Sequence, residues 1–115
     1  MAIDILKSID IIELMENYVA RIRPSEKIRT ELDINYRIEN QSVILVEIRP
    51  DWRDKKIIRE YGYAKTTYVK TQDVWKIFWM RADGKWHSYK ANPEVKSLKD
   101  FLNIVDEDKY NCFKG

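Results

Sequence analysis

The stretch that decides the fold is residues 74–90, which read VWKIFWMRADGKWHSYK. The run before Asp83-Gly84 is the most apolar of the predicted strands, and β-branched and aromatic side chains of the kind that strands favour make up most of it. Asp-Gly is a strong hairpin signal because glycine takes the positive φ of the turn. The stretch therefore predicts antiparallel strands over residues 74–81 and 85–90.

Three further strands are predicted upstream of this hairpin. Residues 34–39 alternate strictly, and Asn40-Gln41 follows them where a tight turn belongs. Residues 43–48 are apolar on both faces, which places them centrally in the sheet or under a helix on one side. Residues 63–70 are β-branched and aromatic. Residues 51–62 are so highly charged that we expect a loop or a short helix there.

Apolar residues at helical spacing predict a helix at each end of the chain. The N-terminal stripe ends before Pro24, which cannot continue a helix, and Ser97 with Asp100 predicts the start of the C-terminal helix. Asn92-Pro93 predicts the end of the sheet before it. The stripes are Ile11, Leu14, Met15, Tyr18 and Ile22, and Leu98, Phe101, Leu102 and Val105.

Short links without β-α-β alternation predict an α+β fold. We expect an antiparallel sheet of about five strands, built from hairpins and flanked by the two helices. A chain of 115 residues has the size of a single domain, residues 1–115.

Composition excludes several classes of protein. The chain is 44% hydrophobic and 35% charged, which rules out disordered and collagen-like chains. Cys112 is the single cysteine, so no internal disulfide forms and a reducing, cytoplasmic setting is expected. No signal peptide or membrane span is predicted. One histidine and one cysteine argue against a zinc site, and we expect neither a metal nor a cofactor.

The net charge of +2 conceals a basic centre. Residues 51–90 hold 10 basic and 5 acidic residues together with 9 of the 14 aromatic residues. This pattern predicts an aromatic and basic sheet surface that binds a partner. An ordinary half-buried sheet with a solvated outer face would have the same pattern. The predicted binding residues are Trp52, Lys65, Arg81, Lys85, Trp86 and Tyr89.

The two faces of the 74–81 strand are both largely apolar. One face has Val74, Lys76, Phe78 and Met80, and the other has Trp75, Ile77, Trp79 and Arg81. Helices are expected to cover one face. The second face must then be covered as well, or form a contact surface for a partner or a second copy.

The candidates for catalysis are few. His87 is the only histidine, and Glu47 interrupts an apolar strand, where a buried carboxylate needs a partner. Arg49 shares the face of Glu47, so a structural ion pair is the favoured interpretation over a catalytic acid. No phosphate-binding glycine loop, nucleophile elbow or HExxH motif is present, which argues against a common enzyme class. Cys112 has no activating neighbour in sequence.

Three segments carry a family resemblance: residues 36–43 (YRIENQSV), residues 47–52 (EIRPDW) and residues 75–89 (WKIFWMRADGKWHSY). They resemble a family of small bacterial proteins that carry a domain of unknown function. The ending Cys112-Phe113-Lys114-Gly115 is similar to the family's aromatic-glycine ending, which usually has tryptophan in place of Lys114. The resemblance implies no activity, but it suggests that the family uses Glu47, Arg49, Trp52, Arg81, Lys85, Trp86 and the tail. Such a tail could fold back onto the sheet.

Three functional hypotheses follow. The first is a non-enzymatic protein-interaction module in the bacterial cytoplasm, whose partner is another protein or a second copy. The second is a domain that binds single-stranded DNA or RNA through the basic, aromatic centre. The third is a small ribonuclease-like enzyme with Glu47, Arg49, Arg81 and His87 clustered, which requires Glu47 and His87 to lie close together.

Overall fold

Along the chain, one helix precedes an antiparallel sheet and a second helix follows it. The computed structural model describes residues 5–114, with only the backbone for residues 5–7. Within that range the elements are α1 (Ile5–Ile22), β1 (Asp33–Glu39), β2 (Ser42–Pro50), β3 (Ile58–Val69), β4 (Val74–Met80), β5 (Trp86–Ser88), β6 (Glu94–Val95) and α2 (Leu98–Glu107). The predicted α+β class, with a helix at each end, is confirmed.

The strands follow the chain across the sheet in the order β1-β2-β3-β4-β5. Asn40, at φ 54°, and Gly84, at φ 76°, provide the left-handed residues of the two predicted tight turns. β5 is shorter than residues 85–90. The prediction that Asn92-Pro93 ends the sheet was wrong, because β6 pairs with β4 beyond it. Pro93 lacks an N–H, but its carbonyl oxygen accepts a hydrogen bond from the Ile77 amide at 3.0 Å.

Both helices pack on the same face of the sheet, which we call the helix-bearing face. α1 contacts β1, and α2 contacts β3, β4 and β6. The predicted stripes face this core: Met15, Phe101 and Val105 have no exposed surface. We call the opposite side the open face. It carries Val74, Lys76, Phe78 and Met80 of β4, as the alternation predicts.

The C-terminal tail folds back onto the sheet, as expected. The side chain of Ser97 caps α2 by accepting a hydrogen bond from the Asp100 amide at 3.1 Å. At the other end, Asp108 adopts φ 41°, and its carboxylate accepts hydrogen bonds from the amides of Phe113 and Lys114 at 3.0 and 2.8 Å. Phe113 is thereby buried, with its ring centre 4.9 Å from that of Tyr89.

The prediction of a loop or short helix over residues 51–62 was wrong for its second half. β3 begins at Ile58, which pairs with Pro50 of β2. The strand escaped sequence reasoning because residues 58–61 are exposed on both faces and therefore lack a one-sided apolar pattern.

Helix α2 is expected to be held mainly by its buried stripe. Phe101→Ala removes a ring with no exposed surface and leaves a cavity, so the free energy of unfolding should fall by about 3–5 kcal/mol. Asn103→Ala, on the exposed side of the same helix, is the control and should change it by less than about 0.5 kcal/mol. Urea denaturation measures both. Equal effects would show that α2 does not depend on this stripe.

Candidate functional site

The β2–β3 hairpin extends beyond its neighbours and forms an arm, residues 49–63. Pairing of β2 with β1 stops at Ile48, and pairing of β3 with β4 stops at Ala64. Residues 58–63 therefore pair only with β2. The helices do not reach the residues at the end of the arm, and the molecule is elongated, with extents of 44 × 29 × 26 Å.

The arm exposes an unusual amount of apolar surface. Trp52 is 81% exposed, Ile58 58%, Ile57 43% and Tyr61 39%. These are four of the eight large apolar side chains that are exposed in the described part of the chain. Single exposed apolar residues are ordinary, whereas several on one short hairpin form a candidate contact surface.

Basic residues surround this apolar surface. The arm has five, Arg49, Arg53, Lys55, Lys56 and Arg59, against the acids Asp51, Asp54 and Glu60. Arg49 pairs with Glu47 at 3.7 Å and lies 4.9 Å from the centre of the Tyr61 ring. Arg53 stacks on Trp52 at 4.8 Å. The arm is therefore both apolar and cationic.

The tip of the arm is ordered by one carboxylate. Asp51 is 8% exposed, accepts a hydrogen bond from the Arg53 amide at 2.7 Å and is bound by the guanidinium of Arg59. Its own amide donates to the carbonyl oxygen of Ile57 at 2.8 Å, which closes the loop. The Arg59 guanidinium holds the pKa of the Asp51 carboxyl below its ordinary value, with help from the Arg53 amide.

The root of the arm combines a β-bulge with a close packing contact. Leu45 pairs with Ala64 but Val46 pairs with Gly62, so Tyr63 is an extra residue that increases the local twist. On the open face the Trp86 ring occupies the space beside Gly62. A Cβ at position 62 would lie 2.8 Å from Cζ2 of Trp86.

The predicted binding residues lie on separate surfaces of the structure and do not form one site. Trp52 lies on the arm, and Lys65 sits on the open face with its ammonium 5.7 Å from the Trp86 ring. Lys85 is exposed in the β4–β5 turn. Arg81 lies over the Trp79 ring at the sheet edge. Tyr89 is 4% exposed and packs in the core, where it lies beneath the β5 edge of the sheet.

The catalytic candidates do not meet. Glu47 is on β2 and His87 on β5, with β3 and β4 between them. Three strand spacings of about 4.8 Å separate their backbones by about 14 Å. Glu47 pairs with Arg49, as predicted, while His87 Nε2 hydrogen-bonds Asp83 at 2.8 Å. Glu47 and His87 therefore do not form the cluster that the ribonuclease hypothesis requires.

A cavity of about 410 Å³ opens at the β5 edge of the sheet. Its lining consists of Trp79, Arg81, His87, Ser88, Tyr89, Lys90, Ala91, Tyr110 and Cys112. Burial raises the pKa of the Cys112 thiol, which therefore favours its neutral form. Within residues 8–114 no group of three or more His, Cys, Asp or Glu side chains is placed to hold a metal ion.

Neither α1 nor α2, the helices within residues 5–114, has the length and apolar composition of a membrane-spanning segment.

The comparison with family models matches residues 4–115 to a domain of unknown function, DUF3024. The chain belongs to the DUF3024 family. The expected resemblance to a domain of unknown function is thus confirmed for nearly the whole length. Searches of the curated proteins and of the solved structures found no match. Membership in DUF3024 assigns no activity, so the argument for function rests on the surfaces described above.

Sequence reasoning found only part of the arm of this DUF3024 chain. It selected Trp52 and Arg49 but missed Ile57, Ile58 and Tyr61 as exposed residues. Apolar Ile58 and aromatic Tyr61 close after Pro50 were the available signal. It would have indicated a strand paired with the end of β2, although it does not tell which face is solvated.

The contact between Gly62 and Trp86 is expected to fix the root of the arm. Gly62→Ala places a methyl group against the indole and should lower the free energy of unfolding by about 1–3 kcal/mol. In the Trp86→Ala background the same change should cost less, because only the contact with Ile44 Cγ2 at 3.3 Å remains. Denaturation of the four proteins of this double-mutant cycle measures the coupling. Additive effects would show that the ring does not rest on Gly62.

The Asp51 carboxylate is expected to order the tip without supporting the core. Asp51→Ala should speed amide exchange at Arg53 about tenfold or more, since the amide loses its acceptor. Amides of α2 should exchange at their original rate. Asn103→Ala, far from the arm, is the control.

The pH dependence of the tip follows from the same pair. Because the folded-state pKa of Asp51 is depressed, its stabilisation is complete above the ordinary aspartate pKa and is lost as the pH falls through the depressed value. Protection of the Arg53 amide should therefore persist at pH about 4, where an ordinary aspartate is about half protonated. Loss of protection between pH 6 and about 4.5 would contradict the assignment.

Proposed function

We propose that this DUF3024 chain is a non-enzymatic protein-interaction module whose contact surface is the arm. The observation that carries the proposal is the exposure of Trp52, Ile57, Ile58 and Tyr61 on one hairpin. Trp, Tyr and Arg supply most of the residues that dominate binding free energies at protein interfaces. Arg53 on the Trp52 ring and Arg49 on the Tyr61 ring place such residues side by side.

The chemistry of the arm defines the partner surface that complements it. Apolar side chains at the tip require an apolar surface, since burial of that area drives association. The cationic rim favours carboxylates around that surface, which also steer the encounter. Lys55 and Lys56 form no ion pair in the described part of the chain and remain available to such carboxylates.

A second copy of the chain offers a surface of this kind. On the outward side of α1, Ile9 is 57% and Ile12 45% exposed. Glu13 lies beside them on the same exposed side of the helix, whereas the carboxylate of Glu16 accepts a hydrogen bond from Tyr36 of β1. The arm of one copy against α1 of another would join apolar to apolar and basic to acidic surface. Because these are different surfaces, a closed dimer forms only if the contact is made twice about a two-fold axis.

Single-stranded nucleic acid is the second candidate, favoured by the unpaired Lys55 and Lys56 next to the exposed Trp52. Such binding needs a continuous track of cations and stacking rings. Here the basic residues fall on three surfaces: the arm, the open face with Lys65, and the β5 edge with Arg81. That separation favours a protein partner.

Self-association is tested by sedimentation velocity at protein concentrations from about 1 to 100 μM. The wild type should show a concentration-dependent rise in sedimentation coefficient. Trp52→Ser and Ile9→Ser, on the two halves of the contact, should each weaken association about 30-fold, the effect of losing an interface hot spot. Ile28→Ser is the matched control, because Ile28 is 46% exposed but lies on neither surface.

A wild-type monomer at about 100 μM would contradict the proposal for a second copy. A parallel titration with single-stranded RNA and DNA at about 50 mM salt examines the other candidate, because phosphate contacts are strongest at low salt. Binding there that weakens steeply with salt and is lost in Lys55→Gln/Lys56→Gln would favour nucleic acid over protein.

A further inference from the structure

The cavity at the β5 edge has the walls of a small-molecule site. The ends of β4 and β5 form one side, and residues 110–112 of the tail form the other. The tail is fixed there because Asp108 holds the amides of Phe113 and Lys114, and the Phe113 ring packs on Tyr89. The volume of about 410 Å³ lies within the range of ligand pockets, about 300–1,000 Å³.

The charges that line this cavity are all positive. Arg81 and Lys90 contribute cationic side chains, and His87 adds an imidazole. No carboxylate forms an ion pair with Arg81 or Lys90 in the described part of the chain. The nearby Asp83 is already engaged, because its two oxygens bind His87 Nε2 at 2.8 Å and the Lys85 amide at 2.9 Å. Unpaired cations around a cavity favour an anionic ligand.

Aromatic rings stand next to these cations. The cavity is lined by the rings of Trp79 and Tyr110, and Tyr110 is 58% exposed. The Arg81 guanidinium lies 5.4 Å from the Trp79 ring centre, which orients its donors beside an aromatic surface. A planar ring can therefore stack on the aromatic wall while an attached anion reaches the guanidinium.

We propose that this cavity binds a nucleoside monophosphate. The phosphate has a charge near −2 at neutral pH and several acceptor oxygens, which suits Arg81 and Lys90 together better than a single carboxylate would. The base stacks on Trp79 or Tyr110. This site is separate from the arm and does not depend on the protein-interaction proposal.

The four indole N–H signals of the chain make the site directly observable. In a ¹H–¹⁵N spectrum, titration with adenosine 5′-monophosphate should shift the Trp79 signal and leave those of Trp52 and Trp86 in place, since these two do not line the cavity. Inorganic phosphate, which lacks the ring, and adenosine, which lacks the anion, should each bind at least about tenfold more weakly.

Variants locate the phosphate. Arg81→Gln and Lys90→Gln should each raise the dissociation constant about tenfold or more, as expected for a lost charge-assisted hydrogen bond. Lys65→Gln, a cation on the open face, is the matched control and should leave it unchanged. The proposal is overturned if Trp79 does not shift, if phosphate alone binds as tightly as the nucleotide, or if Arg81→Gln and Lys65→Gln behave alike.

Discussion

The mismatch in length between β3 and its neighbours is the constraint on which the rest of the structure depends. β3 has twelve residues, whereas β4 has seven and pairs only with the part of β3 from Ala64 onward. The first half of β3 is therefore committed to β2 alone, and the two strands leave the body of the sheet together. A two-stranded hairpin has little stability by itself in water. It persists here because its root is anchored in a sheet whose helix-bearing face is covered by both helices.

The aromatic residues of the basic centre, residues 51–90, have different roles because the arm is anchored at its root. Trp86, although partly exposed, fills the space that the absent side chain of Gly62 leaves, and Lys65 covers its ring. Trp75 and Tyr89 belong to the helix-bearing core. Trp52 alone of the four tryptophans is almost fully in water. The aromatics of residues 51–90 thus lie in the core, at the root of the arm and on its exposed tip, and the net charge of that segment is distributed over separate surfaces.

The fold could be predicted largely from the sequence because its signals are local. Each signal depends on a few neighbouring residues: the alternation over residues 34–39, the turn at Asp83-Gly84 and the helical stripe around Phe101. β6 and the arm escaped prediction for physical reasons. β6 is two residues long and depends on a pairing across the sheet with Trp75 and Lys76. Residues 58–61 of the arm are exposed on both faces, so their sequence shows no one-sided apolar periodicity.

The candidate sites were less accessible, since they depend on which strands become neighbours. The sequence allowed Glu47 and His87 to lie close together, but the strand order places β3 and β4 between them. The cavity near Arg81 exists only because Asp108 turns the tail back towards β5. Neither fact follows from spacing along the chain. Composition narrowed the search to residues 51–90, and the register of the sheet then separated the exposed arm from the cavity at the β5 edge.

The central claim is that the arm of one copy contacts α1 of another, and paramagnetic relaxation between copies tests it most directly. Cys112 is the only cysteine, so a Cys112→Ser, Asp54→Cys chain accepts one spin label at the tip of the arm and keeps Trp52 and Arg53 intact. This labelled chain is mixed with ¹⁵N-labelled chain that has no spin label. The account predicts signal loss at the amides around Ile9, Ile12 and Glu13. Unchanged intensities at α1, or loss confined to another surface, would contradict it.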